Sequence, residues 1–123
     1  MQGLSKYNSQ GLSNSSRLLI VDGDVYLRTS LRQQFAAEGF HNIFDVGSVT
    51  ELNAAFKDAN PDLILLDIQM PDGNGVDICK RLRSNGYTKP IVMLTAKNAE
   101  SDIIEGLEAG ANDCVIKPLR MGD

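Results

Sequence analysis

A chain of 123 residues holds one compact domain and little more. With 42% hydrophobic and 23% charged residues it reads as an ordinary globular sequence, and its net charge of −4 counts against direct nucleic-acid binding. No apolar run approaches the roughly 20 residues of a membrane span, and the N-terminus lacks the apolar core of a signal peptide, so the expected location is the cytoplasm, off the membrane.

Residues 1–16, MQGLSKYNSQGLSNSS, are rich in Ser, Asn, Gln and Gly and predict a flexible N-terminal arm, leaving 17–123 as the domain. From Arg17 the pattern alternates. RLLIVD is a short apolar run suited to a strand buried on both faces. Leu27, Leu31 and Phe35 follow at helical spacing, with Gly39 as the stop. NIFDV predicts a second strand. Ser48-Val49-Thr50-Glu51 is a capping box, ahead of a helix carrying Leu52, Ala55, Phe56 and Ala59 and closed by Pro61.

DLILLD (62–67) is the most strand-like run, and MPDGNG (70–75) has the chemistry of a loop. Val76, Cys79 and Leu82 predict a third helix with KRLR (80–83) on its solvated face. PIVMLT (90–95) predicts a fourth strand. Ile103, Ile104, Leu107 and Ala111 mark a fourth helix interrupted near Gly110, and CVIKP (114–118) predicts a fifth strand. Five strands alternating with four helices at short spacing predict a doubly wound parallel sheet of the α/β class. Cys79, Cys114 and the lone His41 form no metal-ligand pattern; the cysteines read as free thiols and His41 as a loop residue.

The residues that end the buried runs carry the chemistry. LLIV ends in Asp22, LILL in Asp67, IVML in Thr95 and CVI in Lys117. Ligands of open parallel sheets bind outside the carboxyl ends of the strands, so two carboxylates, a hydroxyl and an ammonium should converge there. A carboxylate pair attracts a hard divalent cation such as magnesium. An ammonium and a hydroxyl suit phosphoryl oxygens, and a carboxylate beside them can become an aspartyl-phosphate.

DIQMPDGNG at 67–75, TA at 95–96 and KP at 117–118 occur in the order and spacing of a known family. From Arg17 to about Arg120 the chain resembles the receiver domain of a two-component response regulator. The resemblance implies a flavodoxin-like sheet of strand order 2-1-3-4-5. It implies that Asp67 accepts phosphate from a sensor histidine kinase in a phosphorelay, acting on an output domain outside this chain, such as a DNA-binding transcription regulator. It implies that Asp22, Asp67 and the backbone carbonyl of Gln69 hold Mg2+, that Thr95 and Lys117 meet the phosphoryl group, and that the Lys117–Pro118 bond is cis. The domain would be a signalling acceptor rather than an enzyme.

Four features depart from the family. Gly23 stands where the second of two adjacent acids, the direct metal ligand, is expected, so magnesium binding should be weakened. Asp24 is the remaining candidate ligand, but neighbouring residues on a strand end point in different directions. Cys114 replaces the Tyr or Phe whose ring moves inward with Thr95. The fourth helix carries Glu100, Asp102, Glu105 and Glu108 where dimerising members often use a basic residue. Only LRMGD follows Lys117-Pro118, so the final helix is expected to be missing, leaving apolar surface near the fifth strand and driving self-association.

Two other readings compete. A pseudo-receiver, an interaction module that is never phosphorylated, explains Gly23 and Cys114 directly. IVDGD also resembles the Asp-x-Asp opening of haloacid-dehalogenase-type phosphatases, with Asp22 as nucleophile and Asp24 as acid/base. That reading leaves DIQMPDGNG unexplained and meets Tyr26 where Thr or Val is expected.

Overall fold

The computed structural model describes residues 11–95 and 100–117. Strands β1 (Arg17–Val21), β2 (Asn42–Val46), β3 (Leu63–Asp67), β4 (Ile91–Thr95) and β5 (Asp113–Ile116) alternate with helices α1 (Val25–Ala37), α2 (Val49–Ala59), α3 (Gly75–Ser84) and α4 (Glu100–Glu108). The five strands form one parallel sheet, as the alternating pattern predicts, in the order β2-β1-β3-β4-β5 that the resemblance implies. A short antiparallel ladder between Gln69–Met70 and Gly73–Asn74 starts one residue before the 70–75 segment predicted as loop and otherwise lies within it.

Period-two alternation divides each central strand between two cores. Leu18, Ile20, Leu63, Leu65, Val92 and Leu94 face α1, where Leu31 and Phe35 close the cluster. Leu19, Val21, Ile64, Leu66, Ile91 and Met93 face the other way, against Leu52 of α2 and Val76, Cys79 and Leu82 of α3. This two-sided burial is why the central strands read as unbroken apolar runs.

The helix ends follow local chemistry. At the start of α2, Ser48 Oγ accepts from the Glu51 amide at 3.1 Å, and Glu51 reaches back to the Gly47 amide at 3.1 Å. At the end of α1, Gly39 has φ +101°, and the Gly39 and Phe40 amides bond back to Ala36 and Phe35. Phe35 and Phe40 then meet edge-to-face at 5.9 Å, the apolar contact that accompanies this glycine cap.

Several expectations need correction. Ile104 and Leu107 do not face the core: both are exposed, and Gly106, Ala109 and Ala111 are the buried residues. A Cβ on Gly106 would lie 3.2 Å from Met93 Cγ and 3.4 Å from Cys114 Sγ, so the glycine lets α4 approach the sheet closely. Arg83 is not on a solvated face. Its guanidinium donates to the carbonyls of Gly110, Tyr87 and Lys89 and to Asn112 Oδ1, at 2.7–3.0 Å. Near the fifth strand, where open apolar surface is expected, Val92 and Leu94 of β4 are fully buried within the α1-side cluster, while Val115 of β5 is half-buried and Ile116 is exposed. Of the segment read as an arm, Leu12 packs on the α1-side cluster and Ser16 is buried. Residues 1–10, the Lys117–Pro118 bond and the expected place of a final helix lie outside the described residues.

Candidate functional site

The parallel sheet delivers the predicted residues to one edge. Asp22 follows β1 directly, Asp67 and Thr95 end β3 and β4, and Lys117 follows β5. The Lys117 amide continues the ladder by donating to the Thr95 carbonyl at 2.7 Å, which sets its side chain over the strand ends. Lys117 Nζ lies 2.7 Å from Asp22 Oδ2 and 3.1 Å from Asp67 Oδ2. One ammonium thus bridges two largely buried carboxylates.

Each carboxylate has a second anchor. Asp22 Oδ1 accepts from the Asp24 amide at 2.9 Å, and Asp67 Oδ1 accepts from the Gln69 amide at 3.2 Å. Burial, followed by the charge of Asp22, pushes the Asp67 carboxyl above its ordinary range, against the opposing pull of Lys117. Burial would lower the Lys117 ammonium, but hydrogen bonds and charge from Asp22 and Asp67 outweigh it and hold it above its ordinary value. Thr95 Oγ1 is buried without a hydrogen-bond partner among the described residues. A buried hydroxyl left unpaired is uncommon and costs free energy.

Asp-Gly-Asp is a turn that leaves only one of its two carboxylates, Asp22, with the group at the strand ends. The Asp24 side chain caps α1, accepting from the Tyr26 amide at 2.9 Å and the Leu27 amide at 3.4 Å. It is spent on the helix and does not join Asp22 and Asp67. A Cβ on Gly23 would sit 3.3 Å from the Pro71 ring, so the missing side chain leaves room for the loop after β3. Among the described residues no three His, Cys, Asp or Glu side chains gather as a metal site. The two carboxylates and the nearby Gln69 backbone nevertheless offer only hard oxygen donors, which fits magnesium with much of its water retained.

The loop after β3 is shaped by close approach. A Cβ on Gly75 would run into the Asp67 carbonyl oxygen, and the Gly75 amide donates to the Ile68 carbonyl at 2.7 Å. Asn74 caps α3, its Oδ1 accepting from the Val76 amide at 2.7 Å. Cys114 lies under α4, its Sγ 3.8 Å from the Ile103 carbonyl, with no contact to the two carboxylates. Sequence reasoning missed Arg28, which donates to the Asp22 carbonyl at 2.6 Å and pairs with Asp45 at 2.8 Å. A helical arginine six residues after Asp22 gives no signal of that contact until β2 is placed.

Comparison with known proteins agrees with this geometry. The family model for the response regulator receiver domain matches residues 18–123. The chain belongs to the receiver-domain family. It is 41% identical over 104 residues to the DNA-binding response regulator MtrA of Mycobacterium tuberculosis, and 38% identical over 107 residues to the transcriptional regulatory protein ResD of Bacillus subtilis. Those matches cover 85% and 87% of this chain but only 45% and 44% of the relatives, so the chain spans less than half their length. A response-regulator structure from Chloroflexus aurantiacus superposes with a TM-score of 0.79 at 34% identity, covering 86% of this receiver domain and 88% of that chain. Receiver domains are signalling domains rather than enzymes acting on a free substrate. Among the described residues no helix is long and apolar enough to cross a membrane.

Proposed function

We propose that this receiver domain takes a phosphoryl group onto Asp67 from the phosphohistidine of a sensor histidine kinase. An Asp67 carboxylate oxygen attacks phosphorus, the P–N bond to the kinase histidine breaks, and the histidine leaves as the aspartyl-phosphate forms. The observation that carries this reading is the grouping at one sheet edge: Asp67 paired with Lys117 at 3.1 Å, Asp22 on the same ammonium, and Thr95 with a buried hydroxyl that has no hydrogen-bond partner among the described residues. Lys117 and Thr95 would meet the phosphoryl oxygens, each trading its present state for a charged or hydrogen-bonded partner. Asp22, Asp67 and the Gln69 carbonyl would hold magnesium, which supplies positive charge against the phosphoryl oxygens. Two carboxylates rather than three make that affinity low. The phosphorylated domain would control an output region, and relatives named as DNA-binding and transcriptional regulators point to gene control in the cytoplasm. Self-association belongs to the same proposal, because Ile104 and Leu107 of α4 and Ile116 of β5 expose aliphatic surface.

Incubation with a small phosphodonor and magnesium, read by intact mass, tests the reading. One added phosphoryl group is expected, lost in Asp67→Asn and only reduced in Asp22→Asn. Labelling that survives Asp67→Asn but vanishes in Asp22→Asn would point to a phosphatase-like nucleophile instead. A second reading, an interaction module that works without phosphorylation, is favoured by one observation: the Pro71 ring packs at Gly23, where a carboxylate is expected. Absence of labelling at saturating magnesium, with the fold intact, selects it.

A further inference from the structure

The loop from Asp67 to Gly75 makes an attachment that the phosphoryl chemistry does not use. Asp72, at the tip of its short antiparallel ladder, reaches the N-terminus of α2. Its Oδ1 accepts from the Val49 amide at 2.7 Å, and its Oδ2 accepts from the Thr50 amide at 3.1 Å and the Thr50 hydroxyl at 2.8 Å. Together with Ser48 Oγ on the Glu51 amide, these bonds satisfy the first three amides of the helix, groups that have no partner within it. A carboxylate at this end also meets the positive pole of the helix. Packing repeats the attachment: a Cβ on Gly73 would lie 2.7 Å from Val49 Cγ2, so loop and helix are already in contact. On its other side the loop rests on the β1–α1 turn through Pro71 and Gly23.

We propose that Asp72 is a positioning residue: by bonding the loop to the N-terminus of α2 it fixes the Gln69 backbone for a divalent cation beside Asp67. The part concerning the cation rests on the receiver function proposed above; the attachment itself does not. Ser48 and Asp72 cap the same helix, but only Asp72 ties that helix to the loop. Loss of either should therefore loosen α2, while only loss of Asp72 should free Gln69.

Amide hydrogen exchange and magnesium titration on the full chain separate the two. In metal-free protein, exchange at the Gln69 and Gly75 amides should rise about tenfold in Asp72→Ala and stay at the wild-type rate in Ser48→Ala. Magnesium affinity should fall about tenfold in Asp72→Ala, the scale of losing an outer-shell partner, and recover in part in Asp72→Asn, which keeps one acceptor oxygen. Wild-type exchange at Gln69 in Asp72→Ala, or an equal rise in Ser48→Ala, overturns the proposal. A wild-type chain that binds no magnesium sinks the receiver reading instead, and the exchange comparison still decides the role of Asp72.

Discussion

Two residues set the chemistry of this site in opposite directions. Gly23 removes a carboxylate, and Asp67 keeps one under strain from burial and from Asp22. Gly23→Asp should tighten magnesium binding, since a direct carboxylate is the main protein contribution to such a site. The new Cβ must displace the Pro71 ring by a few tenths of an ångström, so Gly23→Ala serves as the steric control. Magnesium titration of the three proteins checks this, and equal affinities for Gly and Asp would show that the third carboxylate is not what the site lacks. For Asp67, the folded chain binds its proton more tightly than the unfolded chain does, so its ionised form costs stability at neutral pH. Asp67→Asn should therefore raise the melting temperature at pH 7. The advantage should shrink as pH falls through the raised Asp67 value, where the native carboxyl takes up its proton. Melting curves across pH 3–8 test the sign: a variant less stable at pH 7 would mean that the Lys117 pair outweighs burial. Asp22, Asp67, Thr95 and Lys117 were legible in the sequence because each terminates an apolar run. Asp72 and Arg28 were not, because their partners lie 22 and more residues away or on a turn that only the assembled sheet positions.

Helix boundaries were legible for the same local reason, and helix faces were not always so. Three helices end on a glycine of positive φ, Gly39, Gly86 and Gly110, each followed by an amide that bonds back into the last turn. The fourth, α2, ends on Asn60 in the left-handed conformation at φ 42° just before Pro61. Glycine, asparagine and proline announce such ends whatever packs nearby. Periodicity over Ile103, Ile104, Leu107 and Ala111 identified α4, but of these only Ala111 is buried and Ile104 and Leu107 are exposed, because the helix approaches the sheet through Gly106. Gly106 over Met93 and Cys114 is the contact that a hydrophobic pattern cannot display. Gly106→Val should destabilise the domain by about 1–3 kcal/mol, the usual range for overpacking a filled site. Chemical denaturation measures it, and a change below about 0.5 kcal/mol would mean that α4 rides freely on β4 and β5.

At the scale of the molecule, the parallel sheet separates tasks by end. The carboxyl ends of the strands carry the ionisable cluster, while the amino ends are sealed by structural contacts. Arg17 bonds to Asp62 and to the carbonyls of Asp58 and Ala59, Tyr87 donates to the Pro61 carbonyl at 2.9 Å, and Arg83 joins the approaches to β4 and β5. Fold class followed from unbroken apolar runs alternating with helical periods, and strand order from the family resemblance carried by DIQMPDGNG, TA and KP. What lay beyond the sequence was which surface stays uncovered. Among the described residues the exposed large aliphatics are Ile104 and Leu107 of α4, Ile116 of β5 and Val25 at the start of α1, and the exposed acids Glu100, Glu105 and Glu108 stand on α4 beside the first two. Self-association through this surface should therefore strengthen with salt, as screening relieves repulsion between the acids. Light scattering on the 123-residue chain at low and high salt checks this, with Leu107→Glu expected to lower the apparent mass. A monomer at high concentration in both salts would rule the interface out.

The bridge from Lys117 to Asp22 and Asp67 has a consequence for how the site reads its surroundings. An ammonium tethered to the fifth strand is always present at high local concentration, whereas a free cation must win its place from solution. The domain thus carries its own competitor for the acidic pocket. Occupancy by a divalent ion would then be an exchange between a fixed charge and a diffusing one, with a midpoint set by the geometry of β5 as much as by the carboxylates themselves. In the proposed receiver, a change that shifts β5 by a fraction of an ångström would alter the ion sensitivity of the pocket without touching a single oxygen donor.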